Sequence, residues 1–123
     1  MAVVAIVEDL FFRAKIEAAA AQAGIPLVVA RDATAVTQAA TPSWQCVILD
    51  LHLSSADPLQ MIRDVNAAHP ARPIVAHYSH VETQSPLQAT HAGCTLVLPR
   101  SAFVRRLPEL LAHARNIPPH SLV

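Results

Sequence analysis

Asp50 closes the apolar run Cys46-Val47-Ile48-Leu49, and a second apolar run, Val3-Val4-Ala5-Ile6-Val7, ends in Glu8-Asp9. Uninterrupted branched runs of this length read as strands buried on both faces. Two such strands deliver three carboxylates to one end of a sheet. In open parallel α/β sheets, that end is where ligands bind. Clustered carboxylates repel one another unless a proton or a cation intervenes. A hard divalent ion with oxygen ligands, such as Mg2+, satisfies them.

The elements that must position these groups follow from the pattern of apolar residues and breakers. After Asp9 the period becomes helical, with Phe12, Ile16, Ala19 and Ala23 in step and a run of alanines from Ala18; Gly24 and Pro26 end it. Leu27 to Ala30 is a short strand, Ala33 to Ala40 a weak helix and Gln45 to Leu49 the third strand. Asp57-Pro58 starts a helix, with Asp as cap and Pro in the first turn. Leu59, Ile62 and Val65, with Met61 beside them, line its buried face, and His69-Pro70 stops it. Pro73 to His77 is the fourth strand, Tyr78 to Glu82 a polar loop and Ser85 to Ala92 a short helix ended by Gly93. Thr95 to Leu98 is the fifth strand. Ser101 opens a last helix to about Arg115, with Phe103, Leu107, Leu110 and Leu111 inside and Pro108 bending it. Five strands alternating with five helices predict one doubly wound sheet. Residues 1–123 read as a single domain, with 116–123 as a C-terminal tail and no attached output module.

Composition narrows the function. The chain has 123 residues, 53% of them hydrophobic and 15% charged, which argues for a packed fold and against disorder. Lys plus Arg equals Asp plus Glu, at 9 each, so nothing attracts nucleic acid or an anionic membrane in general, and little repulsion opposes a homodimer. Adjacent Arg105 and Arg106 are not a DNA-binding signature. No segment approaches about 18 uninterrupted apolar residues, and no leader is evident, so the expected location is cytoplasmic. Cys46 and Cys94 lack CxxC spacing and read as packed, reduced thiols. The only glycines are Gly24 and Gly93, so no phosphate-cradling glycine loop is present. His52, His77 and His80 lack the spacing of a zinc site and read as residues of a pocket rim.

This order of elements and acidic residues, from Val3 to about Leu111, resembles the receiver (CheY-like) domain of two-component response regulators. The resemblance implies a flavodoxin-like α/β fold: a doubly wound, five-stranded parallel sheet of strand order 2-1-3-4-5. It implies that Asp50 accepts a phosphoryl group from a histidine kinase or phosphotransfer protein. Mg2+ would be held by Glu8, Asp9, Asp50 and the backbone carbonyl of His52. Asp57 matches a common acidic position in the loop beyond. Ala92-Gly93 matches a small pair before the fifth strand and sets Arg100 where such domains carry a lysine. Tyr78 falls at the spacing of their hydroxyl residue, with Ser79 one place later. Val97 stands where many carry a switching aromatic, Ser101 replaces a proline and Pro58 a glycine.

The chemistry this implies is self-modification, not enzyme turnover. Asp50 is the nucleophile, Mg2+ neutralises charge, and Arg100 pairs with phosphoryl oxygens. Arg100 keeps lysine's charge but not its compact ammonium. Ser79 suits a small movement better than Tyr78. The patch Phe103-Val104-Arg105-Arg106 is a candidate partner surface, with Phe103 expected in the core and both arginines exposed. A second reading is a receiver-like interaction module that works without phosphorylation. An open acidic pocket with Asp9 and Arg100 aimed inward favours the first reading. A filled pocket, or Arg100 paired with Asp50, favours the second.

Overall fold

A computed structural model describes residues 2–32, 34–36, 44–79 and 86–114. Its strands are β1 (Ala2–Ile6), β2 (Leu27–Val29), β3 (Trp44–Asp50), β4 (Ile74–Tyr78) and β5 (Leu96–Pro99). The helices are α1 (Leu10–Ala23), α2 (Pro58–Ala68), α3 (Pro86–Ala92) and α4 (Arg100–Ala112). All strand pairs are parallel and the order is β2-β1-β3-β4-β5. This is the expected flavodoxin-like architecture. Of the helix expected over 33–40, residues 34–36 are helical and the others lie outside the described residues. So do His80, Ser85, Arg115 and the tail 116–123.

Alternation along each strand divides the core in two. Val4, Ile6, Val47, Leu49, Ile74 and Ala76 pack with Met61, Ile62 and Val65 of α2 and Ala89 and Ala92 of α3. Val3, Ala5, Cys46, Ile48, Val75, Leu96 and Leu98 pack with Phe12 and Ile16 of α1 and Phe103, Leu107, Leu110 and Leu111 of α4. Asp50 has the parity of Cys46 and Ile48, and the register sets it beside His77. The strands end together, so their C-terminal residues share one rim.

Local signals fix the helix ends. Asp9 and Asp57 cap α1 and α2 with their carboxylates, and Pro58 takes the first turn of α2. The inner stripe of α1 is Phe12, Ile16 and Ala20; Ala23 is exposed. The helix is nearly all alanine there, so spacing alone did not choose between neighbouring rows. Tyr78 belongs to β4 and not to the loop beyond it, because the β4–β5 register runs on to Tyr78–Pro99.

Both glycines have positive φ. Gly24, at φ 71°, closes α1, and a Cβ there meets nothing within 4 Å. Gly93 has φ 131°, and a Cβ there falls 2.7 Å from the Asn66 side chain of α2. Gly24→Ala is therefore expected to cost about 1 kcal/mol of backbone strain. Gly93→Ala is expected to cost about 2 kcal/mol, because strain and a displaced neighbour add. Urea unfolding of the two variants measures the difference; equal costs mean that Asn66 yields freely.

Among the described residues, no helix is long and apolar enough to cross a membrane. Both cysteines are free and buried, and burial pushes each thiol up to about 12, so they are inert packing groups.

Candidate functional site

Asp50 ends β3 with only 4% of its surface exposed. Its two oxygens have different partners. Oδ1 accepts the backbone N–H of His52 at 2.9 Å. Oδ2 faces Nη2 of Arg100 at 3.4 Å, a distance at which charge attraction outweighs directed hydrogen bonding. Arg100 opens α4 directly after β5, so the chain reversal at Pro99 brings its side chain back over the rim.

The same guanidinium reaches a second carboxylate. Nη1 of Arg100 lies 3.8 Å from Oδ2 of Asp9, and its central carbon sits 4.4 Å from the centroid of the Phe12 ring. Phe12 thus supplies a flat, apolar seat that orients the planar cation toward both acids. Asp9 also caps α1: its Oδ1 accepts the N–H groups of Phe11 at 2.9 Å and Phe12 at 3.1 Å.

Glu8 turns elsewhere. Its Oε1 accepts the N–H and the hydroxyl of Ser54, and its Oε2 accepts the N–H and the hydroxyl of Ser55. These bonds, led by the Ser54 N–H, hold its carboxyl at about 2, well below the usual 4.5. Glu8 thereby ties the loop after β3 to the end of β1. Of the three carboxylates expected to surround one ion, Glu8 is held by Ser54 and Ser55 while Asp9 and Asp50 share Arg100, and among the described residues no group of three or more His, Cys, Asp or Glu is placed to hold a metal. Arg100 has taken the cationic place between Asp9 and Asp50.

His77 was expected at a pocket rim, yet it is fully buried. Its ring lies 4.5 Å from Phe12 and 4.7 Å from Phe103, centroid to centroid, and Nδ1 is 4.0 Å from Asp50 Oδ1. Burial first, then the charges of Arg100 and His52, lowers its pKa to about 3, so the imidazole is neutral. The available signal was parity: β3 and β4 in register place His77 beside Asp50 on the same face.

The two hydroxyl candidates separate. Tyr78 is half-buried against the core on the α2–α3 side. Ser79 is exposed, and its N–H donates to Nε2 of His52 at 3.0 Å, joining the loops after β3 and β4. Val97 is partly buried against the α2–α3 core. Of the proposed partner patch, Phe103 is fully buried and Arg105 exposed, as expected. Arg106 departs from the expectation: only 13% of its side chain is exposed, its Nε lies 3.9 Å from Oε2 of Glu109, and both its Nη atoms are buried. The exposed large apolar residues lie elsewhere and include Leu10 and Phe11, at 72% and 88% exposure. Phe11 borders a cleft of about 540 Å³ that reaches Asp9 and Arg100.

No family model matches the chain, and no curated protein matches it. Solved structures do. A response regulator receiver domain protein from Clostridium thermocellum superposes with a TM-score of 0.79 at 16% identity, covering 94% of this chain and 95% of that one. NtrX from Brucella abortus gives 0.76 at 20% identity; the match covers 94% of this chain but only 27% of NtrX. The beryllofluoride-activated receiver domain dimer of NtrC4 gives 0.75 at 15%, covering 91% and 93%. The strand order, the helical layers and these superpositions agree: the chain has the fold of a response-regulator receiver domain of the CheY-like kind.

Proposed function

We propose that this chain is a signalling receiver that accepts a phosphoryl group on Asp50 and signals through protein contacts. The observation that carries the reading is the split environment of the Asp50 carboxylate. His52 N–H fixes Oδ1, while Oδ2 faces a cation shared with Asp9. One oxygen is held by the backbone; the other is covered by Arg100, which must move aside before it can attack phosphorus.

Two of the expected donors, Asp9 and Asp50, are of a type that suits Mg2+. Such an ion takes one or two carboxylates together with phosphate oxygens. Asp9 and Asp50 already share one positive partner, and both offer hard oxygens. Asp9, Asp50 and the His52 carbonyl would hold the ion, with Glu8 acting through water. Bound there, Mg2+ neutralises charge on the phosphoryl oxygens. This chain's own residues do the rest. Asp50 Oδ2 attacks phosphorus while the bond from phosphorus to the donor's imidazole nitrogen breaks, and that electron pair leaves with the donor histidine. Arg100 passes from the carboxylates to the phosphoryl oxygens, which its planar fork pairs well. Ser79 is the better placed hydroxyl, because its backbone is already tied to His52, whereas Tyr78 is packed against the core.

The donor in this reading is a histidine kinase or phosphotransfer protein of the cytoplasm, where buried free thiols such as Cys46 and Cys94 stay reduced. The exposed Leu10 and Phe11, which follow Asp9 in the chain, offer it an apolar contact beside the rim. The dimer seen for the NtrC4 receiver domain and the balanced charge of this chain support a homodimer as one output.

Intact mass spectrometry after incubation with acetyl phosphate and Mg2+ tests the reading. The expected result is one added phosphoryl group, absent in Asp50→Ala and absent without Mg2+. A specific observation favours the interaction module as a second reading: Arg100 already neutralises Asp9 and Asp50, and Glu8 is engaged by Ser54 and Ser55. In that case neither acetyl phosphate nor a cognate kinase modifies the protein, and Asp50→Ala leaves partner affinity unchanged.

A further inference from the structure

His77 is the anomaly of the interior. Its side chain is fully buried, yet neither ring nitrogen has a hydrogen-bond partner. A buried polar group left unpaired costs about 1–3 kcal/mol, and a leucine in the same aromatic slot would carry no such cost. The ring stands between Phe12 and Phe103 with Nδ1 directed at the one carboxylate of the buried rim, 4.0 Å from Asp50 Oδ1. With a carboxylate on that side, Nδ1 carries an N–H, because a lone pair facing the anion would be repelled.

We infer that His77 is a positioning residue for the phosphoryl chemistry: its Nδ1–H donates to Oδ1 of Asp50 and shortens the life of the aspartyl phosphate. The inference rests on Asp50 being the phosphoacceptor. In hydrolysis, a water oxygen forms a bond to phosphorus while the bond from phosphorus to Asp50 Oδ2 breaks. The bonding electron pair returns to the carboxyl group, and the water proton leaves with the phosphate or to solvent. His77 keeps its proton throughout. Charge grows on the departing carboxyl group as the bond breaks, so a donor at Oδ1 binds the transition state and the product more tightly than the neutral acyl phosphate. A shift of about 1 Å converts the present separation into a hydrogen bond. That shift becomes available when Arg100 leaves the carboxylate for the phosphoryl oxygens.

Two measurements on the full chain test this. The first is the tautomer of His77, read from two-bond 1H–15N correlations. Nδ1–H is expected, and Nε2–H overturns the inference whether or not the protein is phosphorylated. The second is decay of the aspartyl phosphate after the phosphodonor is removed. His77→Leu is expected to slow decay about 3- to 10-fold, the effect of one hydrogen bond to a developing charge. His77→Asn, whose amide nitrogen lies where Nδ1 lies, is expected to restore the parent rate. Unchanged decay in His77→Leu overturns the inference, and so does slow decay in a folded His77→Asn, since a purely packing role would not separate a donor from an apolar residue. Absence of any adduct on the parent protein overturns the phosphoacceptor reading and this role with it. A normal adduct with unchanged decay in His77→Leu overturns the His77 role alone.

Discussion

Stability is expected to fall as the pH drops below 6.5, at a slope approaching 1.4 kcal/mol per pH unit, about what one proton taken up on unfolding gives. His77 is the main source. Its ordinary value is 6.5, and burial, with Arg100 and His52 adding, pushes it down to about 3 in the fold. Between those values the unfolded chain binds a proton that the folded chain refuses, so acid favours unfolding. The contribution is complete above pH 6.5 and is lost progressively toward pH 3. His69, lowered by burial and by Arg72, acts in the same direction. Glu8 adds its own loss only below its usual 4.5. The interval from pH 6.5 to pH 4.5 therefore belongs to the histidines. Urea unfolding at pH 7 and pH 5 should show a loss of about 2 kcal/mol in the parent protein. In His77→Leu the loss should shrink to less than about 1 kcal/mol. Parallel losses in the two proteins would place the acid sensitivity elsewhere.

The two apolar runs ending in acids located β1, β3 and the rim they share, because a strand buried on both faces has a composition that a surface strand lacks. Asp57-Pro58 marked the start of α2, and Gly24 the end of α1, because those residues answer local backbone demands. Spacing also delivered Arg100 to the site. It did not tell which lone pair each cation or N–H would take. Glu8 was grouped with Asp9 and Asp50, but Ser54 and Ser55, 46 and 47 residues away, fold back over it. For Arg100 the spacing leaves two partners open, a phosphate or Asp50, and in the fold it bridges two carboxylates on a seat made by Phe12. His77 was one histidine among several until the β3–β4 register put it beside Asp50. In each case the deciding partner is distant in sequence, so the competition between partners is visible only once the chain is folded.

Arg100 is the residue on which the competing readings turn. Arg100→Met keeps a flexible apolar stem over Phe12 but removes the charge shared by Asp9 and Asp50. Asp50 is 4% exposed, so the variant leaves a nearly buried carboxylate facing another acid. The expected cost is about 2 kcal/mol at pH 7: the loss of a charged hydrogen-bond partner, reduced because about a third of the Arg100 side chain meets solvent. Mg2+ should then act differently on the two proteins. In the parent, the ion must displace a guanidinium; in Arg100→Met, the same oxygens are free. Millimolar Mg2+ should raise the variant's unfolding free energy by about 1.4 kcal/mol for a tenfold excess over its dissociation constant, and the parent's by less. Asp9→Asn in the variant background should remove most of that gain, because one carboxylate then remains. If Mg2+ stabilises neither protein, Asp9 and Asp50 do not form a cation site, and the arginine bridge is a fixed structural element of an interaction module. If it stabilises the variant through Asp9, the bridge is a resting state that a phosphodonor and its metal can open, and Asp50 is held ready beneath it.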